Sequence, residues 1–509
     1  MLEQAGLRRP AADAVVDGRR RLTYAELVDR ATRLGHAFAG LGVGKGDRVL
    51  LVLRNRLEHV LAYWALQTIG GVPTPAGFRL AAREVRYILD DCGATVVLFE
   101  AATAAAVLEA VADHRVRLVF VGGDGPAGSL PFDELLASGA PGATRDREPA
   151  EGDLSLILYT SGTTGRPKGV PRTHRNHVAG ALAHVIQCGY GWLERTLGVM
   201  PLYHTMGIHS LTSMAAVNGC FVCQPDWSGE GALALIESER LTALYLIPTL
   251  YYDLVHAPGF APGRVSSVRK LAYAGAPMLA PLTRACVEAF RPEVFVNHYG
   301  STEIYTFSVR PAVDGKPGCA GRAGIHGKLR VVTASADRCV GPDETVSPGE
   351  KGEIIASLDS DEAFRGYWKR PDADARALRD GWYFTGDMGY LDAEGELYVS
   401  GRVDDMIITG GENVHPVEVE DVLARHPLVR DVAVVGEPDE RWGERVVAFV
   451  VPGAALTADT LDRHCRECPD LANFKRPRRI VFVSEIPKTA SGKILRRLLR
   501  EGQYTEVQG

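Results

Sequence analysis

The sequence predicts an α/β protein with parallel sheets covered by helices, closed by a small α+β domain. Three observations carry that expectation. Helical and strand-like patterns alternate through the first 330 residues, short strands separated by turns follow from about 320 to 400, and a fresh pattern begins after Gly401-Arg402. Thr23 and Glu26 make a capping box ahead of a helix over Tyr24–Ala39. A strand at Arg48–Leu53 and an apolar helix from about His59 to Ile69 come next. A helix across Ala82–Leu89 precedes a strand at Thr95–Phe99. The rhythm recurs as helix Leu233–Glu239 with strand Leu244–Ile247, and helix Leu282–Phe290 with strand Val294–Val296. Parallel strands of this kind bind ligands at their carboxyl ends, and the apolar run Leu154–Leu158 is expected to deliver its following loop to such an end. Gly352–Ala356 and Glu396–Ser400 typify a β subdomain at about 320–400. The remainder reads as strand Met406–Ile408, helix Pro416–Ala424, strands Asp431–Val435 and Val446–Val451, helix Leu461–Cys468 and strand Ile480–Val483. About a hundred residues of this kind suffice for a domain. The expected division is therefore 1–402 and 403–509, with a hinge at the pair Asp404-Asp405.

A hydrophobic content of 46% and a charged content of 24% are those of a globular protein, and 509 residues exceed one ordinary core. No apolar stretch approaches the roughly 18 residues that cross a bilayer. The start, Met1 to Pro10, lacks the apolar centre of a signal peptide, so a cytoplasmic protein without a membrane span is expected. A net charge of −6 argues against a nucleic-acid partner. Lys475, Arg476, Arg478, Arg479, Lys488, Lys493, Arg496, Arg497 and Arg500 nevertheless face only Glu485 in the same stretch. Such a cluster is either a solvated surface or one that meets phosphates. Nine cysteines include the pairs Cys220/Cys223 and Cys465/Cys468, which are too far apart in the chain for a compact zinc site and read as core thiols. A monomer and a homodimer are both compatible with this composition.

Residues 159–170, Tyr-Thr-Ser-Gly-Thr-Thr-Gly-Arg-Pro-Lys-Gly-Val, carry the most chemistry. Gly162, Gly165 and Gly169 let backbone N–H groups approach an anion, Thr160, Ser161, Thr163 and Thr164 add hydroxyls, and Lys168 adds a mobile charge. A polyphosphate suits that loop. It is not a P-loop, because Pro167 disfavours helix at Arg166 and Gly169 stands where Ser or Thr should follow the lysine.

Four further constellations follow in order. In Asn297-His-Tyr-Gly-Ser-Thr-Glu303, Gly300 permits a tight turn, Ser301 and Thr302 offer phosphate donors, and Glu303 is a carboxylate suited to Mg²⁺. Gly381-Trp-Tyr-Phe-Thr-Gly-Asp387 ends on an acid able to grip a ribose diol, and Arg402 adds a cation. Thr409-Gly-Gly-Glu-Asn413 is a glycine loop, and Pro487-Lys-Thr-Ala-Ser-Gly-Lys493 presents a lysine on a tip before a basic helix.

In this order the motifs resemble the adenylate-forming superfamily of acyl-CoA synthetases, adenylation domains and luciferases, over nearly the whole chain. Met200-Pro-Leu-Tyr-His204, Gly401 to Asn413, Arg441-Trp-Gly-Glu444 and Phe474-Lys-Arg-Pro-Arg-Arg479 are most similar to aryl-CoA ligases of the 4-chlorobenzoate, benzoate and 2-furoate type. The resemblance implies a large N-terminal domain of stacked mixed sheets with helices, its β subdomain, and a small mobile C-terminal domain turning at Asp404. It implies ATP, Mg²⁺ and coenzyme A as ligands. Thr160, Ser161, Gly162, Thr163, Thr164, Gly165 and Lys168 would grip the β- and γ-phosphates, and Glu303 would hold Mg²⁺. Ser301 and Thr302 would touch the α-phosphate, Asp387 and Arg402 the ribose. Gly275, Ala276, Asn297, His298, Tyr299 and Gly300 would frame the adenine and the substrate mouth.

Lys493 would bridge the carboxylate and the α-phosphate while the acyl-AMP forms. Gly410 and Gly411 would then replace it, with coenzyme A entering beside Trp442, Phe474, Arg476 and Arg478 past a gate at His204. Aligned without gaps, the resemblance puts Ala183, His204, Thr205, Met206, Tyr245, His298, Tyr305 and Thr306 around the acid, with Ala183 where those ligases carry phenylalanine. Such a lining suits a small aromatic or heteroaromatic carboxylate with a hydrogen-bonding atom. The expected product is its thioester, with AMP and pyrophosphate released. An amide synthetase, in which an amine takes the acyl group, stays open as the alternative.

Overall fold

The computed structural model describes residues 1–142, 148–160, 167–278, 280–316, 318–335, 338–409, 412–453, 455–489 and 492–508, with Asp314, Asp404 and Asn413 described by backbone alone. Ser161, Gly162, Thr163, Thr164, Gly165, Gly410 and Gly411 thus lie outside the described residues.

Local sequence signals set most elements. Thr23 accepts from the backbone N–H of Glu26, whose side chain returns the bond, and the helix runs Tyr24–Gly40. The neighbouring helix Leu57–Ile69 is buried on nearly every side, which its continuous apolar run demands. It lies between two sheets. Val60, Leu61 and Trp64 share one core with Val15 and Phe221 of a large sheet and with Val49, Leu51 and Val96 of a smaller one. Each such fully buried side chain contributes roughly 1.5–3 kcal/mol. The two helices meet closely at Gly35, where a Cβ would stand 2.6 Å from Thr68 Oγ1.

The smaller sheet is entirely parallel, in the order Val72–Pro75, Arg48–Val52, Val96–Glu100, Arg117–Val121, Ser129–Pro131. The large sheet is mixed. Its parallel block joins Cys220–Cys223, Arg195–Gly198, Ala243–Leu246, Lys270–Tyr273 and Val294–Tyr299, with Tyr273 opposite Asn297. From Val294–Tyr299 onward the ladder turns antiparallel through Ser308–Pro311 and Cys319–Ala323. The short strands Leu397–Arg402, Trp382–Leu391, Gly352–Ser357 and Leu329–Val332 continue that ladder. Leu154–Thr160 departs from the expectation of a parallel strand. It pairs antiparallel with Lys168–Thr173 as a two-stranded hairpin, Thr160 opposite Lys168. Pro167 blocks a helix after the loop, so the chain turns back as a strand.

The closing segment builds its own core. Gly443–Pro452 pairs antiparallel with Val429–Asp439 and parallel with Arg479–Phe482. Helices Pro416–Ala424 and Ala458–Glu467 cover one face through Val419, Leu423, Leu461 and Cys465, while Phe449, Val481 and Leu499 pack on the other. Cys220, Cys223 and Cys465 are buried free thiols. Among the described residues no helix is long and apolar enough to cross a membrane.

Candidate active site

Glu303 is the point on which the site converges. The turn before it needs Gly300, where a Cβ would lie 2.0 Å from the carbonyl oxygen of Tyr305. Ser301 donates from its N–H to the Ile304 carbonyl at 2.9 Å, and its Oγ accepts from the Glu303 and Ile304 amides at 3.2 and 3.4 Å. Arg172, from the second arm of the hairpin, is fully buried beneath this turn. Its Nη1 donates to the carbonyls of Glu303 at 2.7 Å and Thr302 at 3.2 Å, its Nη2 donates to the Glu362 carbonyl, and its guanidinium lies 3.8 Å from the Tyr305 ring centre. Tyr367 donates from its hydroxyl to Glu303 Oε1 at 2.7 Å, and Lys168 Nζ sits 4.1 Å above the same tyrosine ring. One aromatic ring thus spaces the loop lysine from the carboxylate. Burial pulls the Lys168 pKa below the usual lysine range, against the opposing pull of Glu303. A hard oxygen ligand beside a lysine fits Mg²⁺ and phosphate oxygens. Thr205, the first residue of the helix Thr205–Ala216, donates to Thr302 Oγ1 at 3.3 Å, which brings that helix start to the same turn.

Asp387 and Arg402 are cross-strand partners, and Arg402 Nη1 donates to Asp387 Oδ1 at 2.9 Å. Tyr299 donates to Asp387 Oδ2 at 2.7 Å, so the acid is anchored on both oxygens. Lys493 arrives from the closing segment. The tip bond from the Thr489 N–H to the Lys493 carbonyl measures 2.8 Å, and a Cβ at Gly492, whose φ is +79°, would stand 3.0 Å from Ile247 Cδ1 of the large domain. Lys493 is half-buried there within the fields of Arg402, Asp387, Asp405 and Glu303. Burial, then Arg402, hold its pKa below the ordinary lysine range. Asp404 lies in a short turn, Val403–Asp405, between the two cores. Asn297 spends its amide on the Cys319 carbonyl at 2.9 Å, and Gly275, at φ +86°, opens the loop after the neighbouring strand.

Of the residues expected around the acid, Tyr245 and His298 stand edge-on at 5.9 Å, while Ala183, Met206, Tyr305 and Thr306 are buried. His204 caps the helix Thr205–Ala216 by position. Burial pushes its imidazole down to about 4, so it stays neutral. Two further imidazoles, absent from the sequence expectation, join them. His184 lies tilted against Tyr245 at 4.6 Å and edge-on to His298 at 5.3 Å, and His209 meets the Tyr305 edge at 4.3 Å. The donor atoms of His184, Cys188 and His298 all lie within 4.8 Å of one another.

The residues expected to meet coenzyme A stand apart. Trp442 and Phe474 are exposed, Arg476 is ion-paired with Asp462, and Arg478 donates to the Asn473 carbonyl at 3.3 Å. Among the described residues no hydrogen bond or ion pair joins them to Glu303 or Asp387.

Arg172, Tyr367, His184 and His209 were not singled out in the sequence. Only a tyrosine in Phe364-Arg-Gly-Tyr-Trp-Lys369, a glycine-marked turn, offered a signal for Tyr367. Tyr367→Phe removes the hydrogen bond to a charged group at Glu303, worth about 1.5–3 kcal/mol. The Mg²⁺ concentration for half-maximal ATP–pyrophosphate exchange is expected to rise about tenfold or more; an unchanged Mg²⁺ requirement would separate Tyr367 from the carboxylate's role.

Fold and site together bring the Glu303 carboxylate, the Asp387–Arg402 pair and a half-buried lysine from the closing segment into one region. The AMP-binding enzyme family matches residues 2–368, and the AMP-binding enzyme C-terminal domain matches residues 418–493. The chain belongs to the AMP-binding enzyme family. It is 34% identical to 4-chlorobenzoate–CoA ligase of an Arthrobacter species, over 97% of this chain and 93% of the relative. It is 33% identical to a long-chain-fatty-acid–CoA ligase of Mycobacterium tuberculosis, over 99% of this chain and 98% of the relative. Among solved structures, an anthranilate CoA ligase in complex with anthranoyl-AMP superposes with a TM-score of 0.90 at 29% identity, covering 99% of this chain and 96% of that one.

Proposed function

We propose that this protein is an AMP-forming acid–thiol ligase that converts a small aromatic or heteroaromatic carboxylate to its CoA thioester through an acyl-AMP. Relatives acting on chlorobenzoate and on long-chain fatty acids stand at nearly equal identity, so identity does not choose the acid. The pocket does. Tyr245, His298, Tyr305, His184 and His209 leave rings and imidazoles where an alkyl chain needs aliphatic walls. The observation that carries the proposal is that half-buried Lys493 lies within the electrostatic reach of Arg402, Asp387 and Glu303.

A carboxylate and an α-phosphate each bear negative charge, and two unit charges about 4 Å apart repel by about 4 kcal/mol at an effective dielectric of 20. Lys493 offsets that repulsion at the moment the carboxylate oxygen bonds to the α-phosphorus and pyrophosphate leaves. Lys168, with Thr160 and the loop after it, holds the departing phosphates. Thr302 and Ser301 donate to the α-phosphate, and Asp387 with Arg402 orients the ribose. Glu303 would hold Mg²⁺, which supplies Lewis-acid charge neutralisation when bound. For the thioester step the lysine must leave and Gly410-Gly411 take its place, a rotation proposed at Asp404 between residues 1–402 and 403–509. Trp442, Phe474, Arg476 and Arg478 are the proposed coenzyme A surface, which requires Arg476 to exchange Asp462 for phosphate. All nine cysteines are free thiols, which suits the reducing cytoplasm as the working compartment.

The test is product analysis. AMP should form from ATP only when acid is added, and thioester only when coenzyme A is added too. An amine that consumes the adenylate while coenzyme A does nothing would overturn the ligase and favour an amide synthetase.

The depressed pKa of Lys493 gives a pH dependence with a definite sign. The protonated lysine is the working form, so adenylation is lost as pH rises through its pKa. That limb should fall below the ordinary lysine value of about 10.4. Lys493→Arg should remove the limb from the profile of kcat/KM for the acid; a limb that persists there belongs to another group.

A further inference from the structure

Gln187 ends the helix His174–Gln187, and its side chain ties two other elements to it. Its Oε1 accepts from the backbone N–H of Ile325 at 3.1 Å, and its Nε2 lies 3.1 Å from Nε2 of His298. The amide cannot be turned round. A backbone N–H only donates, so the oxygen must face Ile325 and the NH₂ must face the imidazole. The ring nitrogen that meets an N–H donor is then the unprotonated one. Burial pulls the His298 pKa down to about 4, so the ring is neutral and carries a single proton. That proton sits on Nδ1.

The clamp is tightly built. Gly324 lacks the Cβ that would lie 2.7 Å from Thr306 Cγ2 and 3.0 Å from Gln187 Oε1. Across the imidazole stand the rings of His184 at 5.3 Å and Tyr245 at 5.9 Å, both edge-on. Burial holds His184 neutral and raises the Tyr245 phenol, so neither ring is charged. Among the described residues, Gln187 makes the hydrogen bond of His298, and it does so at Nε2.

We propose that His298, locked by Gln187 as its Nδ1–H tautomer, selects carboxylic acids whose ring carries a neutral hydrogen-bond acceptor over the same ring without one. The acceptor class is a hydroxyl or ring oxygen, or a ring nitrogen. This rests on the acid–thiol ligase reading with the pocket described above. An acid with a methyl group at that place leaves a buried N–H unpaired, which costs about 1–3 kcal/mol. A second carboxylate gains no counter-charge from the neutral rings around it. Gln187 does not touch the acid in this account and is a positioning residue.

The experiment compares hydroxybenzoates with methylbenzoates, matched in size, at the ortho, meta and para positions, by acid-dependent ATP–pyrophosphate exchange. At one position the hydroxy acid should exceed its methyl partner by about 10-fold or more in kcat/KM. H298F should abolish that ratio, and Q187M should lower it while leaving KM for ATP in place. Nitrogen-15 NMR of the labelled protein should find His298 protonated at Nδ1, and a mixture of tautomers in Q187M. Methyl acids matching hydroxy acids at all three positions, an unchanged ratio in H298F, or a proton on Nε2 would each overturn the proposal. Should H298F fail to fold, the wild-type ratios and the NMR tautomer decide. Absence of exchange with every acid refutes the ligase reading instead, whereas exchange without hydroxyl preference refutes this inference alone.

Discussion

Replacing Lys493 with alanine is expected to lower acid-dependent adenylate formation by at least about 10²-fold, the loss typical of a preorganised charge at a reacting centre. The same variant should still make thioester from supplied acyl-AMP and coenzyme A at close to the wild-type rate. The asymmetry follows from position. Lys493 rides on the closing segment and lies within the fields of Asp387, Arg402 and Glu303, next to Gly492, where a Cβ would stand 3.0 Å from Ile247 of the large domain. A residue delivered by a separate core can serve one step and be absent from the next. Burial already disfavours its charge, so it gains most when two anions are present to pair with it. Both half-reactions are measured on one preparation, by pyrophosphate exchange and by thioester release. Equal loss of the two would take Lys493 out of the first step specifically.

Arg172→Met should be the most damaging change outside the reacting groups. The guanidinium donates to the carbonyls of Thr302, Glu303 and Glu362, of which the Glu303 carbonyl also accepts from the Phe364 N–H at 2.9 Å. Charge-assisted bonds of this kind contribute about 1.5–3 kcal/mol each, so a loss of roughly 3 kcal/mol or more is expected in the denaturant unfolding of the large domain. Glu362 gives the loss a pH dependence. Burial raises its carboxyl to about 7, with Arg172 among the groups opposing that rise. A carboxyl whose folded pKa lies above the unfolded one costs stability as pH rises from the ordinary carboxylate range to about 7. Without Arg172 that cost grows, so the deficit of the variant should be larger above that pKa than in mild acid. Activity should fall with it, because the Glu303 carbonyl keeps the Phe364 N–H but loses the guanidinium that also holds the turn beneath its carboxylate. A stability deficit independent of pH would detach Glu362 from this account.

The readable part of the molecule is local. The capping box at Thr23, the turn at Gly300 and the left-handed Gly492 are each dictated by near neighbours in the chain, and such signals survive without knowledge of the fold. The hairpin was less legible. Leu154–Leu158 is an apolar run that suits either a parallel strand or the arm of a hairpin, and only pairing with Lys168–Thr173 distinguishes them. His184 shows a similar difficulty. Neighbouring helical residues point about 100° apart, so a run containing Ala183 and His184 does not say which ring will face His298.

What the sequence by itself determined is the kit of reactive groups: a glycine–hydroxyl loop with Lys168, the turn ending in Glu303, the acid Asp387 with Arg402, and a lysine on the tip at 493. These are residue types whose chemistry needs no partner to be recognised. Tertiary structure alone decided how they are held. Arg172 reaches a turn 130 residues away, Tyr367 meets Glu303 across 64, and Gln187 meets His298 across 111. Such bonds exist because folding brings buried donors to buried acceptors that have lost their water, and no short-range pattern in the chain records which pairs will meet.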